Sequence, residues 1–110
     1  MTGKERDETL DAFKEAVNMT AGRLEEWLTT DASRAVGQSD GGGESVGHAS
    51  GRRIVALLRT KKADLTAGDL AHMRKVVGYV HRHGAQRPAG DVTDTPWRYS
   101  LMNWGHDPLG

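Results

Sequence analysis

The stretch T-A-G-D-L-A-H-M-R-K-V-V-G-Y-V-H-R-H-G, residues 66–84, constrains the fold most tightly. It carries a helix start, an apolar stripe and a helix stop. Thr66 is placed to cap the first turn through its hydroxyl, and Asp69, three residues on, takes the position of the acid in a capping box. The charge of Asp69 also suits the positive end of the helix dipole. Leu70, Met73, Val76, Val77 and Val80 recur at helical spacing, and at about 100° per residue they fill an arc of about 120°. Gly84 stands where a left-handed residue closes a helix, just after Arg82 and His83, whose charge suits the carboxyl end. The pattern predicts a helix with one side in a core.

The opposite side of this helix carries Ala71, Lys75, Gly78 and Arg82, small and basic residues in alternation. Small residues with two cations suit close approach of a phosphate backbone. Close packing of a second helix on Ala71 and Gly78 is the more ordinary reason for such a face. Gly78 costs about 1 kcal/mol relative to Ala in a helix interior, so something should require it.

The rest of the chain reads as helical too. Leu10, Phe13 and Val17 share one face, and Asn18-Met19-Thr20 forms a break. Thr20 then caps a second helix in which Leu24, Trp27 and Leu28 are the buried edge. Residues 31–50 hold five of the 14 glycines, three of them at Gly41–Gly43. They predict a flexible Gly-rich loop at about 37–47, with no P-loop Gly-Lys-Ser/Thr in it. A third helix is expected over 48–62, capped by Ser50, with Ile54, Val55, Leu57 and Leu58 apolar and Arg52 and Arg59 outside, one heptad apart. A Pro- and Gly-containing loop follows Gly84. Thr95, Pro96 and Gly105 then frame a short final helix with Trp97, Leu101 and Trp104 on one face. Exposed, that face would be a sticky patch, so it is expected to dock on the core.

The expected fold is therefore all-α: a small single-domain bundle of about five helices over residues 9–110, with a docked Trp-rich carboxyl-terminal segment. Residues 1–8 are expected to form a disordered terminus. The expected core is Leu70, Met73, Val77 and Val80 with Ile54, Leu58, Leu24 and Trp27, covered at one end by Trp97 and Trp104.

Composition bears mainly on function. Fifteen cations balance 15 acids, but unevenly along the chain. Residues 1–50 carry ten Asp/Glu against five Lys/Arg, whereas residues 51–88 carry nine Lys/Arg against Asp64 and Asp69. A basic middle third is an electrostatic footprint for nucleic acid, unless the acidic first half pairs with it inside the fold. There is no cysteine, which excludes disulfides and thiolate metal sites. The opening M-T-G-K-E-R-D-E-T-L is neither a signal peptide nor a membrane span, so a cytoplasmic protein without membrane association is expected.

Several segments carry a family resemblance. N-M-T-A-G-R-L-E-E-W-L, E-S-V-G-H-A-S-G-R-R-I-V, D-L-A-H-M-R-K-V-V-G-Y-V-H-R-H, A-Q-R-P-A-G-D-V and W-R-Y-S-L-M-N-W-G-H-D-P together resemble domain-of-unknown-function family 3140 over roughly residues 17–109. Members of that family often carry an automatic label of DNA-binding protein, so the resemblance implies DNA binding and supplies no catalytic residues.

Little in the chain points to chemistry. His81 and His83 project about 200° apart on one helix and cannot share a metal. His72 and His83 share an azimuth but stand about 16 Å apart along the axis. His106-Asp107 beside Trp104 is a conceivable acid–base pair, and Ser45 or Ser50 a conceivable nucleophile, but no motif joins them. The expectation is no enzyme, no metal and no cofactor. The candidate nucleic-acid-binding residues are Arg52, Arg59, Lys75 and Arg82, all off the apolar stripes. Asn and Gln are absent from residues 51–83, so duplex DNA would be held with little sequence specificity. The alternative partner is a protein in a groove beside the Trp-rich tail, since Trp, Tyr and Arg favour binding hot spots. An enzyme or small-ligand binder using His106 and Asp107 ranks below both.

Overall fold

The computed structural model describes residues 3–36 and 44–110. Among them are six α-helices and no strand: α1 (Gly3–Ala16), α2 (Ala21–Leu28), α3 (Asp31–Ala35), α4 (Val46–Leu58), α5 (Ala67–Gly84) and α6 (Pro96–Asn103). A single 3₁₀ turn, Lys62–Asp64, joins α4 to α5. α1 lies along α5 and α2 along α4, and α6 touches α2, α3, α4 and α5. None of these helices is long and apolar enough to cross a membrane.

Local chemistry sets most of the starts. The side chains of Thr20, Thr30, Ser45, Thr66 and Thr95 each accept a backbone N–H of the first turn they precede. At α5 the capping box is complete: Thr66 accepts from the Asp69 N–H at 3.1 Å, and Asp69 accepts from the Thr66 N–H at 3.0 Å. That second bond holds the Asp69 carboxyl below its ordinary range. Pro96 occupies the first turn of α6, and Gly105 follows its end at φ +81°.

The structure differs from the sequence expectations at several boundaries. α1 runs from Gly3, within the segment set apart above as a polar terminus. Its early turns are tied to the α4–α5 connection: Arg6 donates to the carbonyls of Lys62 and Leu65, and Asp7 pairs with Lys62 at 3.3 Å. α3, an additional short helix, occupies part of the expected connection. Of the Gly-rich loop expected at 37–47, residues 37–43 lie outside the described residues, and Ser45-Val46-Gly47 already belong to the start of α4. α4 thus begins two residues before His48 and ends at Leu58. Ser50 is no cap; it is a buried residue inside the helix. Gly84 is not left-handed either, for α5 continues through it to a right-handed Ala85.

The main core is built around Leu24, Ile54 and Val76, all fully enclosed, with Phe13, Leu28, Leu57, Leu70, Met73 and Val80 about them, and Leu101, equally enclosed, anchors a second cluster with Val92 and Trp97. Trp97 and Trp104 are buried, as expected for a docked tail. Three expected core residues sit further out. Val77, Leu58 and Trp27 are half-buried. α5 is rotated so that Val76 points inward, while Val77 helps line an open groove with Glu8, Thr9 and Ala12 of α1. The rotation follows from a second contact side on α5: His72, Tyr79 and His83 face α6. Tyr79 stacks on Trp104 at 4.3 Å and on His83 at 5.2 Å, and His83 stands 6.4 Å from Trp97. One helix therefore meets two partners, and its apolar arc centres between them.

The tail is fixed by polar groups that folding removes from water. Asn103 accepts from the Trp27 Nε1–H at 2.8 Å and from the Ser33 hydroxyl, and returns an N–H to the Ser33 carbonyl at 3.0 Å. Asp107, 2 % exposed, accepts from Arg98 Nε at 3.1 Å and Nη2 at 3.0 Å, from Arg23, and from the Leu109 N–H. Burial pushes its carboxyl up, but the bonds from Arg98, Leu109 and Arg23 outweigh that and hold it at about 2. Asn18 exchanges two bonds of 2.8 Å with the Asp107 backbone. These contacts lock the carboxyl end beneath the α1–α2 junction.

Candidate functional site

The four candidate cations divide between two helices with different surroundings. On α4, Arg52 grips Glu44 with a fork: Nε donates to Oε2 at 2.7 Å and Nη2 to Oε1 at 2.5 Å. The Arg52 bonds, with a further one from His48, hold the Glu44 carboxyl down at about 2. Arg59 donates to Glu25 of α2 at 2.8 Å, which lowers the Glu25 carboxyl. The acidic first half thus reaches both Arg52 and Arg59.

On α5 the situation is reversed. Lys75 and Arg82 are exposed, and neither has a carboxylate within ion-pair distance among the described residues. They flank a cleft of about 390 Å³ whose other walls are Val46, Gly47, Tyr79 and Trp104, with no acid among them. Gly78, between the two cations, is met first by a side chain of its own helix. A Cβ there would stand 2.9 Å from Arg82 Nη1, so the missing side chain is the space in which the Arg82 guanidinium lies back over α5. Helical side chains lean toward the amino terminus, which carries this charge toward Lys75. The packing role expected for Gly78 belongs to α4. There a Cβ on Gly51 would come within 2.5 Å of the Asn103 carbonyl oxygen and 2.7 Å of Leu28, and one on Gly47 within 3.1 Å of Trp104 Nε1.

The cleft floor is aromatic but closed. Trp104 is 4 % exposed under Tyr79, whose hydroxyl is pushed up by burial. At the far end of the stack, Arg87 lies 5.6 Å over Trp97. Val46 rises at the rim, 58 % exposed.

The residues weighed for chemistry serve the fold instead. His106 Nδ1 donates to the Ala16 carbonyl at 2.7 Å, while Asp107 turns to Arg98 and Arg23, so the two side chains form no acid–base pair. Ser50 does meet a histidine: its hydroxyl lies 3.0 Å from His72 Nε2. Burial, followed by the charges of Arg53 and Lys75, lowers the His72 pKa, which favours the neutral ring accepting the hydroxyl proton. The Ser50 oxygen is buried between α4 and α5. Ser45 caps α4.

Sequence reasoning named pairing by the acidic first half, Glu25 included, as the alternative to a basic face, but not which acid meets which cation, since Glu25 and Arg59 are 34 positions apart. It also missed the second stripe of α5, whose signal was the recurrence of ring side chains at 72, 79 and 83 on one azimuth.

Residues 12–102 match the family described as a protein of unknown function, DUF3140. The chain belongs to that family. No curated protein and no solved structure compared with it matches. The family match spans α2 to α5 entirely, nearly all of α6 and the last turns of α1, and so includes the cleft between Lys75 and Arg82.

Proposed function

We propose that this member of the DUF3140 family is a nucleic-acid-binding accessory protein that holds the phosphate backbone of a duplex through Lys75 and Arg82. The observation that carries the reading is their isolation from acids among the described residues: a heptad apart on one helix, they flank a cleft whose described lining holds no carboxylate, and Gly78 gives the Arg82 guanidinium its place. Phosphates are attracted by unneutralised cations and bound with release of counterions. Ala71 and Gly78 keep the surface low enough for a backbone to approach. Base reading is not supported, because Asn and Gln are absent from residues 51–83 and Trp104 lies too deep to stack on a base. Arg52 and Arg59 contribute less, each being committed to a carboxylate.

Two phosphate contacts correspond to a log–log salt slope of about −1.8 on B-DNA. The test is fluorescence anisotropy of a labelled duplex at low salt with wild type and Lys75→Ala/Arg82→Ala. Binding by wild type and its loss in the folded double variant are expected. Absent wild-type binding, or equal binding by the variant, would overturn the reading. A protein partner seated on the same cleft would then stand first, supported by the exposed Val46 at its rim.

A further inference from the structure

The Glu44 carboxylate sits in a cradle of three donors that belong to α4. Arg52 supplies Nε and Nη2, and the His48 ring supplies Nδ1, which faces a carboxylate oxygen and so donates. The other ring nitrogen of His48 donates to the Leu28 carbonyl of α2 at 2.7 Å, which fixes the ring, and its side chain is only 12 % exposed. Arg52 is 64 % exposed and reachable from solvent. Arg34, with no carboxylate within ion-pair distance among the described residues, joins His48 and Arg52 in lining an open cleft of about 350 Å³ between α2 and α4. Among the described residues lining that cleft the one acid, Glu25, is engaged by Arg59. The arrangement is that of an oxyanion site, a planar fork beside a positioned ring N–H, and the oxyanion it holds is the chain's own.

We infer that the His48–Arg52 fork is a phosphate site that Glu44 keeps closed, a built-in competitor for the backbone phosphates of the nucleic acid. The inference rests on the nucleic-acid reading for the source of the phosphate. Glu44 precedes the capping residue Ser45, so it can leave the cradle while the cap bond from the His48 N–H, and α4 with it, stays formed. An exposed pair of this kind contributes little net stability, and a backbone phosphodiester, which carries one negative charge as Glu44 does, presents two unesterified oxygens to the same fork. Acid does not open the site in the neutral range, since the Glu44 carboxyl is held at about 2 and stays ionised well below neutrality. Opening is by competition.

Two readouts test this on the full chain. The first follows the Arg52 Nε–H and His48 ring resonances by NMR during titration with inorganic phosphate. The second measures the salt slope for a labelled duplex. The variants are Glu44→Gln, Glu44→Gln/Arg52→Gln, and Glu26→Gln, which makes the same charge change on α2 away from the cradle. Inorganic phosphate should move the Arg52 and His48 signals at about five- to tenfold lower concentration in Glu44→Gln than in wild type or Glu26→Gln, as removal of a surface competitor implies. The effect should vanish with Arg52→Gln. The duplex slope of Glu44→Gln should steepen by about 0.9, one additional cation engaged. Glu44→Gln behaving as Glu26→Gln in both readouts overturns the inference and leaves binding through Lys75 and Arg82 standing. Phosphate binding at Arg52 without duplex binding by any variant supports the phosphate site and strikes the nucleic-acid reading instead.

Discussion

The outer faces of α4 and α5 carry the same sequence signature, two cations one heptad apart, yet they are different surfaces. Arg52 and Arg59 are each held by an acid from elsewhere in the chain, Glu44 just before α4 and Glu25 on α2. Lys75 and Arg82 face a cleft that no acid lines among the described residues. The inner sides differ as well. α4 needs its glycines to admit Leu28 and the Asn103 backbone, whereas Gly78 of α5 makes room only for Arg82. A count of basic residues therefore says little about a basic surface; where the acids of other helices land decides it.

The strongest way to break the comparison is at the inner side of α5. Val76→Asp, at a fully enclosed position, should destabilise by about 4 kcal/mol or more, because the carboxylate would have no partner. Val77→Asp, on the open groove, should leave the melting temperature near that of wild type. Equal losses would show that the two valines are not on different sides, and thermal denaturation followed by circular dichroism decides. On α4, Gly51→Ala should cost about 3 kcal/mol, since its Cβ meets backbone that cannot step aside.

The clamp that holds the carboxyl end beneath the α1–α2 junction responds to acid. The Asp107 carboxyl is held at about 2, below its unfolded value, so its contribution is full above about pH 4 and is lost as pH falls through 2. That contribution is about 2 kcal/mol at neutral pH. Asp107→Asn should remove it and flatten the acid limb of the stability curve, measured by urea denaturation between pH 2 and 5. An unchanged acid limb would show the carboxylate is not clamped by Arg98 and Arg23. The smallest effect has the opposite sign. Gly78→Ala should stabilise α5 by up to about 1 kcal/mol, because only the end of Arg82 must move. The displaced Arg82 should bind duplex more weakly, which separates the use of this glycine from a packing role.

These contrasts also mark what the sequence reveals. α5 and α6 were legible because their signals are local: Thr66 with Asp69, Thr95 with Pro96, and apolar residues at helical spacing. The start of α4 was not, because Gly47 looks like a loop residue until Trp104 and Asn103 are brought against it. α3 is too short to show periodicity, and its one buried side chain, Ser33, is polar. The clamp at Asp107 joins residues 84 and 89 positions apart, which no spacing rule connects. For the site, Lys75 and Arg82 are found on a helix face as expected. The neutralisation of Arg52 and Arg59 depends on how α2 and the approach to α4 pack, and that is settled only in three dimensions.

The central claim is that α5, not α4, supplies the working cations. It is tested most directly by duplex-binding salt slopes for Arg52→Ala/Arg59→Ala and Lys75→Ala/Arg82→Ala beside wild type. The α4 variant should keep the wild-type slope of about −1.8, with somewhat weaker binding because Glu44 and Glu25 are left uncompensated, and the α5 variant should fall close to zero. A slope that collapses in the α4 variant and survives in the α5 variant would contradict the account.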